Sequence, residues 1–526
     1  MDPIPNSLSF SDKQATYHQR VDNIEWVLAQ TEPLGIPLSF LSVGQFMEIL
    51  VSEGSAGRGA DALRRIYAGG SQIGAHSHQE HRAGPFDWPN YPSGASFAEC
   101  QDSWQDNFDW VDQAILTALG SPPPEPLSLI HNVKGAHLPK DEADYHAMMS
   151  LFGITVREGG PEEDYFQWYK HHIWNPFRPS AANYMAEDLS APFVVPTQGS
   201  VIGLKQIHHG IEQDMTAPAV KRQFLQLYLN WRHADRMGLP EKIWSWGWGS
   251  HATDFDPGDP SRAALVDVLA WLENHFAHRI DPTGSKVMQW ATQRSTAEDY
   301  FAWESAHPGT SSFSFDSLAV DWDTYPYLRP VAEELGDFLW QADLSLGSGI
   351  EAFLLSKGPL NGILLWQDGG SSSVDLSSWL GPKVKIIGLE SGLWLGDDPT
   401  AVPAGGEPVF VSEEVITLSS SGTPSLGATV TFTLQGAPET PAALYMASAA
   451  TWLPLPHLGL LQIDPGASLQ LMGEGSTSAS GVWNLPVTVP IQPSLIGFTG
   501  WFQGALYFFE GQSLKLSANA LSLTVM

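Results

Sequence analysis

The sequence predicts a parallel α/β fold, most simply a (β/α) barrel, followed by an all-β C-terminal region. Strand-like and helix-like segments alternate about seven times up to about residue 305, which is typical of parallel α/β folds. From about residue 340 short strands are separated by Gly, Pro and Ser turns, and helical periodicity is nearly absent. A chain of 526 residues is also too long for one ordinary core, so roughly two to four domains are expected.

The elements of the N-terminal half follow from local patterns. Residues 16–35 carry Ile24 and Leu28 at helical spacing, and Gly35 ends this first helix. The predicted strands cover residues 36–44, 71–78, 127–133, 191–197, 242–249 and 285–292. Further helices are predicted over residues 45–54, 59–70, 97–120, 141–153, 219–238 and 261–276. In such folds the chemistry lies at the carboxyl ends of the strands.

The C-terminal region divides into two predicted β-sandwiches. Its strands are expected over residues 350–356, 362–368, 384–391, 407–413, 428–435, 458–464, 483–491, 495–509 and 521–526. The Ser- and Gly-rich stretch 419–427 marks the boundary between them. The predicted domains are therefore an α/β barrel over 1–305, a connecting helix with a first sandwich over 306–418, and a second sandwich over 419–526.

The charge of the chain excludes two classes of partner. Lys and Arg number 26 against 58 Asp and Glu, which gives a formal charge of −32. Nucleic acid and anionic membrane surfaces both require a positive footprint, so neither is expected. No apolar run reaches the roughly 18 residues of a membrane span.

Composition leaves the compartment open and favours sugar as a ligand. The single cysteine, Cys100, excludes an internal disulfide. The start, MDPIPNSLSF, lacks the features of a signal peptide. The protein is therefore expected to be cytoplasmic, or secreted or periplasmic if a leader has been removed. There are 21 tryptophans, whose faces stack on pyranose rings as well as filling cores.

The stretch IGAHSHQEHR, residues 73–82, is the strongest candidate for a site. It places three histidines and a glutamate at the predicted end of a strand, where neutral imidazole commonly binds metal ions. His78 and His81 share a face if the segment is helical, and His76 and His78 share one if it is extended. His76 and His81 converge only through a loop, and Glu80 offers an oxygen ligand. A solvated polar loop is the alternative.

The order of motifs resembles the polysaccharide deacetylase superfamily, the NodB-homology type of carbohydrate esterase. LSFSD (8–12) stands where that family has T-F-D-D, GIPLSFLSVGQF (35–46) resembles its second strand, and GGSQIGAHSHQEH (69–81) its histidine motif. The resemblance implies a divalent metal, zinc by preference, held by Asp12, His76 and His81. The family's general base falls on Ser11, which cannot accept a proton unaided, and Asp2 is a rival for the acidic position.

Two further predictions concern the groups around the reacting centre. The resemblance implies that His251, after the predicted strand WSWGWG, is a general acid, and Asp254 is positioned to orient its other ring nitrogen. Trp244, Trp246 and Trp248 share one face of that strand and are expected to pack in the core. Arg178 in NPFRPS is a candidate for orienting an oxyanion or a sugar hydroxyl, with a surface ion pair as the equal alternative.

The leading hypothesis is a metal-dependent hydrolase that deacetylates a polysaccharide or oligosaccharide. The first alternative is a glycoside hydrolase, which needs two carboxylates about 5–10 Å apart. Its candidate acids are Glu80, Asp87, Glu158, Asp254 and Asp256. The second alternative is a glycan-binding protein without catalysis. No G-x-S-x-G, phosphate-loop or H-E-x-x-H motif supports another chemistry.

Overall fold

The structure is a computed structural model of the chain. It describes residues 3–77, 80–91, 95–121, 130–133, 142–157, 175–182, 186–196, 199–201, 205–208, 211–214, 216–236, 241–280, 284–310, 334–335, 338–357, 360–381, 384–391, 393–413, 416–436, 439–455, 459–508 and 513–526. The chain divides into two compact units, one of residues 1–227 and 238–321 and the other of residues 228–237 and 322–526. Each unit is considered by itself.

Eight α-helices lie in the described residues. They are α1 (Phe10–Thr31), α2 (Gly44–Glu53), α3 (Arg58–Ala68), α4 (Phe97–Leu119), α5 (Glu142–Phe152), α6 (Ala217–Arg236), α7 (Pro260–Leu272) and α8 (Gln293–Ala306). Short 3-10 turns cover Glu32–Leu34, Ala252–Phe255 and Pro493–Leu495, and a π turn covers Glu273–Ala277.

Strands occur in both units. The first unit contains β1 (Ser39–Ser42), β2 (Gln72–Ser77), β3 (Ile130–Val133), β4 (Val156–Arg157), β5 (Gly199–Val201), β6 (Lys205–His208), β7 (Ile211–Asp214) and β8 (Gly247–Gly249). The second contains β9 (Leu339–Asp343), β10 (Ile350–Lys357), β11 (Leu360–Gln367), β12 (Ser372–Val374), β13 (Lys385–Gly388), β14 (Trp394–Gly396), β15 (Val402–Ala404), β16 (Val409–Ser412), β17 (Thr417–Ser421), β18 (Thr429–Gln435), β19 (Pro441–Ala447), β20 (Ala450–Leu455), β21 (Gly459–Ile463), β22 (Gln470–Ser476), β23 (Val482–Thr488), β24 (Thr499–Phe508) and β25 (Ser513–Thr524).

The first unit is built on a parallel sheet in the order β1-β2-β3-β4. Beyond β4, Val194 pairs with Val156 in parallel. Further along the chain, β5 pairs in parallel with β8. A parallel α/β arrangement is therefore confirmed, but closure of the sheets into a barrel is not shown. The antiparallel hairpin of β6 and β7 was not predicted.

One core cluster of this unit covers the face of the sheet that carries Leu41 and Val156. Leu41 of β1 and Val156 of β4 pack with Ala297, Tyr300 and Trp303 of α8. The first backbone N–H groups of α8 donate to side chains at the start of β1 and β2. Helix α8 therefore lies against the amino-terminal part of this face and leaves the carboxyl ends of the strands to the loops.

The second unit is all-β over most of its described length, as predicted. Its first part is a six-stranded sheet in the order β14-β13-β16-β11-β10-β9 with the small β12-β15 sheet beside it. Its second part contains a three-stranded sheet, β17-β18-β23, and a four-stranded sheet, β22-β19-β24-β25. Each part has its own apolar cluster, which is typical of packed β-layers.

The predicted boundary between residues 418 and 419 falls inside β17. Most of the predicted connecting helix lies outside the described residues. Within the parts of the chain that the structure describes, no helix has the length and apolar character needed to span a bilayer.

Candidate functional site

His76 is fixed by the register of the parallel sheet. Leu41 pairs with Gly74, and His76 pairs with Asn132 of β3. Because side chains alternate along a strand, His76 shares the face of Leu41 and lies one layer nearer the carboxyl ends. It is 4% exposed. A buried imidazole thus lies on the same face as Leu41, at the carboxyl end of a strand. This is the edge of the sheet where α/β folds place their sites.

Residues 80–91, called here the histidine loop, form an ordered hairpin after β2. Glu80 and Asn90 form an antiparallel bridge, and the His81 N–H donates to the Pro89 carbonyl at 3.1 Å. The Glu80 carbonyl accepts from Ser103 Oγ at 2.7 Å. The Glu80 side chain is wholly buried. The predicted alternative of a solvated polar loop is therefore wrong for Glu80.

Helix α4 holds this loop through buried polar side chains. Asn107 donates to the Glu80 carbonyl at 3.2 Å and accepts from the Gly44 N–H at 2.6 Å. It therefore ties the loop to the start of α2. Gly44 has no room for a side chain, since a Cβ there would lie 2.4 Å from the Trp88 ring. The close approach of α2 to the loop thus depends on a glycine.

Glu48 of α2 organises the outer half of the histidine loop. Its carboxylate accepts from Arg82 Nε and Nη2 at 3.0 and 2.8 Å. It also accepts from the Phe86 N–H at 2.9 Å and from Trp88 Nε1 at 2.7 Å. Glu48 is 3% exposed, so its charge is matched by these donors rather than by water.

The N-terminal segment holds the same loop from another side. Lys13 Nζ donates to the Phe86 carbonyl at 2.7 Å and to Asn6 Oδ1 at 2.9 Å. The Trp88 N–H donates to Asn6 Oδ1 at 3.0 Å. Phe86 has a φ of 60°, a conformation unfavourable for a bulky residue. The surrounding contacts are what maintain it.

His81, Tyr91 and Asp106 form the chemically most distinctive group at this loop. The His81 and Tyr91 rings stack with centroids 3.8 Å apart and an interplanar angle of 15°. Asp106 of α4 accepts from the Arg82 N–H at 2.7 Å. Burial raises the pKa of Asp106, while the Arg82 N–H and nearby His81 act in the opposite direction. Burial and neighbouring acids also raise the pKa of Tyr91. A carboxyl and a phenol whose pKa values are both raised by burial therefore lie near an imidazole.

His251 lies beside Asp254 in a second loop of the same unit. The Asp254 carboxylate is 3.3 Å from His251 Nδ1 and accepts from the His251 N–H at 2.6 Å. Asp254 is 8% exposed. Asn23 of α1 donates to the Ala252 carbonyl at 2.8 Å and anchors the loop. The two residues predicted to act together are thus in contact, and their catalytic roles stay predictions.

Arg178 forms a bidentate ion pair. Its Nε and Nη2 donate to the Glu304 carboxylate of α8 at 2.8 and 2.9 Å, and Nη1 donates to the Ala191 carbonyl at 2.7 Å. The geometry matches the ion-pair alternative, and nothing tests the predicted role in orienting a substrate.

Asp12 does not follow a strand, which corrects the interpretation of residues 8–12. Ser9 caps α1, its Oγ accepts from the Asp12 N–H, and the Asp12 carboxylate accepts from Ser9 Oγ at 2.7 Å. The side chain of Asp12 is exposed. A Ser-x-x-Asp pattern before an apolar run is a helix-capping signal, and it competes with the strand-end motif in this stretch.

The structure does not bring Asp12, His76 and His81 together as ligands. Among the described residues, no three or more His, Cys, Asp or Glu side chains are grouped so that they could hold a metal ion. Three candidates lie outside the described residues, namely Asp2, His78 and Glu158. The predicted zinc ion therefore stays untested.

The other candidate acids have local structural partners. Asp87 accepts from Asn6 Nδ2 at 2.6 Å at the tip of the histidine loop. Asp256 accepts from Asn23 and Gln19 of α1 at 2.7 and 2.9 Å. Among the tryptophans before His251, Trp246 and Trp248 contact each other with ring centroids 5.3 Å apart, but Trp244, Trp246 and Trp248 are all half-buried and do not lie in the core as predicted.

Sequence reasoning missed Glu48, Tyr91 and Asp106. Glu48 and Asp106 lie on helices, and only the fold reveals that both face the histidine loop. A usable signal was present in α4, where Ser103 and Asn107 interrupt the apolar face. Polar residues on a buried helical face require partners, and here the partners belong to the loop.

Comparisons with known proteins give no family for the chain. No known family and no curated protein matches its sequence. Among solved structures, Gamma-CGTase from alkalophilic Bacillus clarkii is matched with 9% identity and a TM-score of 0.18, over 89% of this chain and 82% of that one. Because no known family matches the sequence, the polysaccharide deacetylases included, the predicted resemblance to that family is wrong.

Proposed function

We propose that this protein is a carbohydrate-active enzyme that hydrolyses glycosidic bonds with two carboxyl groups beside the histidine loop. The observations that support this most directly are a wholly buried glutamate in the loop, Glu80, and an α4 carboxyl, Asp106, whose pKa is raised by burial. Both residues belong to the contact between the loop and α4. The Glu80 carbonyl accepts hydrogen bonds from Ser103 and Asn107. The Asp106 carboxylate accepts one from the Arg82 N–H.

The proposed chemistry assigns different roles to the two acids. Glycoside hydrolysis needs a proton donor for the leaving oxygen and a second carboxylate as nucleophile or base. Asp106 is assigned as the proton donor, because burial raises its pKa. Glu80 is the second carboxylate, after a strand end of the parallel sheet. The stacked rings of His81 and Tyr91 offer an aromatic surface suited to a sugar ring.

Charge narrows the substrate class. The chain carries a formal charge of −32, which repels polyanions at low salt. The proposed substrate is therefore a neutral oligosaccharide or polysaccharide. Its sugar and linkage are to be identified by assay.

The first test compares turnover in two variants on two kinds of substrate. Asp106→Asn should reduce kcat/KM on neutral polysaccharides by about 10²–10⁴-fold, the range expected for a lost general acid. Its loss should be smaller on aryl glycosides with good leaving groups, because these need less protonation. Glu80→Gln should reduce turnover of both substrates. Reducing-sugar release and aryl-group absorbance measure the two activities.

Asp87→Asn is the matched control, since Asp87 lies in the same loop but is exposed and pairs with Asn6. It should retain activity within about twofold, as expected for a surface change. Equal activity of Asp106→Asn and Asp87→Asn would overturn the role of Asp106. Binding of polysaccharide by wild type without any turnover would instead favour the alternative of a glycan-binding protein.

The divalent metal is a separate proposal that rests on His76 alone among the described residues. Metal content should be measured on untagged wild type and on His76→Ala. About one ion per chain that is lost in the variant would support a metal at this strand end. The same low metal content in both proteins after incubation with excess zinc would contradict the metal proposal.

A further inference from the structure

A cleft of about 410 Å³ lies in the first part of the second unit. Trp379, Asp375, Ser372 and Ser373 line it, with Leu346 among its apolar walls. This volume lies within the roughly 300–1,000 Å³ typical of small-molecule sites. The lining combines one large aromatic surface with several hydroxyl groups and one carboxylate.

Trp379 is exposed although its turn is firmly anchored. The side chain is 36% exposed, whereas Leu376 and Leu380 on either side are buried at 0% and 5%. The N–H groups of Trp379 and Leu380 both donate to the Leu376 carbonyl, at 3.0 and 3.1 Å. The indole is therefore held at the cleft by a fixed turn, which limits the entropy lost when a ligand stacks on it.

The polar wall is also preorganised. Asp375 accepts from the Ser377 N–H at 2.9 Å, and hydrogen bonds from the Ser377 side chain and backbone lower the pKa of this exposed carboxyl. Ser372 Oγ donates to Gln367 Oε1 at 2.8 Å. A carboxyl with a lowered pKa and the oriented Ser372 hydroxyl thus lie in the same cleft as an aromatic ring.

We propose that this cleft binds a neutral polysaccharide chain, with a pyranose ring on Trp379 and its hydroxyls on Asp375 and the serines. An aromatic face and carboxylate acceptors together match the apolar face and the hydroxyl rim of a sugar. The carboxylate and the overall negative charge disfavour a polyanion. The site is independent of the proposed hydrolysis, because it uses no residue of the histidine loop.

The test is affinity electrophoresis of the full chain in gels that contain soluble starch, hydroxyethylcellulose or galactomannan. At least one of these polymers should retard wild type, and dextran sulfate should not. Trp379→Ala should weaken binding to the retarding polymer by about tenfold or more, as for a central aromatic contact. Asp375→Asn should weaken it less.

Trp394→Ala is the matched control, since Trp394 is half-buried on edge strand β14 of the same unit and does not line the cleft. It should bind like wild type. Absence of retardation by all three polymers, or equal weakening in both tryptophan variants, would overturn the proposal. Hydrolysis of aryl glycosides by wild type is measured in parallel, so turnover without retardation marks failure of this proposal and retardation without turnover marks failure of the proposed hydrolysis.

Discussion

Two buried carboxylates, one in each unit, are held in contrasting ways. Glu48 in the first unit accepts from a guanidinium, a backbone N–H and an indole, all belonging to residues 82–88. Glu334 in the second unit pairs with Lys385 of β13 and Lys515 of β25. Their side chains are similarly buried, at 3% and 7%. The two carboxylates are thus similarly buried, but their partners differ in chemical type and in distance along the sequence.

Glu48 therefore stabilises the shape of one loop, whereas Glu334 joins strands that are far apart in the sequence. Glu48 satisfies donors within one short segment, so its loss should mainly release that segment. Glu334 neutralises two lysines from the two different parts of the second unit, so its loss leaves two cations near a buried site. Arg82 beside Glu48 is 31% exposed and can be solvated, whereas Lys385 and Lys515 are only 15% and 16% exposed. Removing the partner of the two lysines should therefore destabilise more than removing the partner of Arg82.

The largest effect is therefore expected for Glu334→Gln. It should lower the free energy of unfolding of the second unit by about 3–5 kcal/mol. Hydrogen exchange should accelerate at β13 and β25, while residues 80–91 keep wild-type protection. Urea unfolding monitored by tryptophan fluorescence and exchange mass spectrometry measures both effects.

Asp398→Asn is the control for this prediction, because Asp398 is an exposed carboxylate of the same unit that accepts from the Thr400 N–H at 2.9 Å. It should leave the stability of the second unit close to that of wild type. A variant with Leu at 334 and Met at 385 and 515 should recover much of the loss, since apolar replacement of a buried ion network is often neutral. A Glu334→Gln protein as stable as wild type would remove the contrast with Glu48.

Acid should weaken the same pairing. Burial alone would raise the pKa of Glu334, but Lys385 and Lys515 lower it from 4.5 to about 2. A lowered folded pKa stabilises the protein above the unfolded value, and this contribution disappears as pH falls from about 4.5 to about 2. The stability difference between wild type and Glu334→Gln should shrink over this window. A difference that stays constant down to pH 2 would contradict the assignment.

Glu48→Gln should have a smaller effect on stability and a larger effect on activity. Glutamine keeps one acceptor, and Arg82 is exposed enough to be solvated, so about 1–3 kcal/mol of local stability should be lost. Exchange should accelerate at residues 82–88 but not at β13. If the histidine loop carries the proposed catalysis, kcat/KM should fall while the unfolding of the second unit is unchanged. Faster exchange throughout the chain would indicate a global role for Glu48.

The sequence predicted elements well where a local pattern defines both ends. The helix predicted over 97–120 is α4, which begins at the Ser96–Glu99 capping box and ends at Gly120 with a φ of 74°. The strand predicted over 71–78 is β2. In both cases capping or glycine chemistry coincides with hydrophobic periodicity, so local and tertiary preferences agree.

The candidate site could be predicted only in its position along the chain. His76 lies near the end of a strand and Glu80 follows it, which places both at the carboxyl ends of the sheet. The partners of the loop, Glu48 and Asp106, come from two helices about 30 residues away in opposite directions along the chain. No local pattern encodes such pairing, because it depends on how the helices pack.

Residues 8–12 show how a local pattern was misinterpreted. LSFSD contains apolar residues that suit a strand end as well as Ser9 and Asp12 at capping spacing. The structure selects the helix, since Ser9 caps α1. The metal-ligand role of Asp12 was inferred from the family resemblance and has no geometric support.

The smallest effect is expected for Asp12→Asn, which completes the series of carboxylates from buried ion network to exposed helix terminus. Asp12 lies in the first turn of α1, where a negative charge stabilises the helix by about 0.3–1 kcal/mol. The variant should lose no more than this, with metal content and glycoside turnover unchanged. Ser9→Ala, which removes the cap itself, is the comparison and should cost about 1 kcal/mol. A loss of bound metal or of more than about tenfold in turnover in Asp12→Asn would return this residue to a functional site. A loss of stability alone would show that Asp12 acts only by stabilising the first turn of α1.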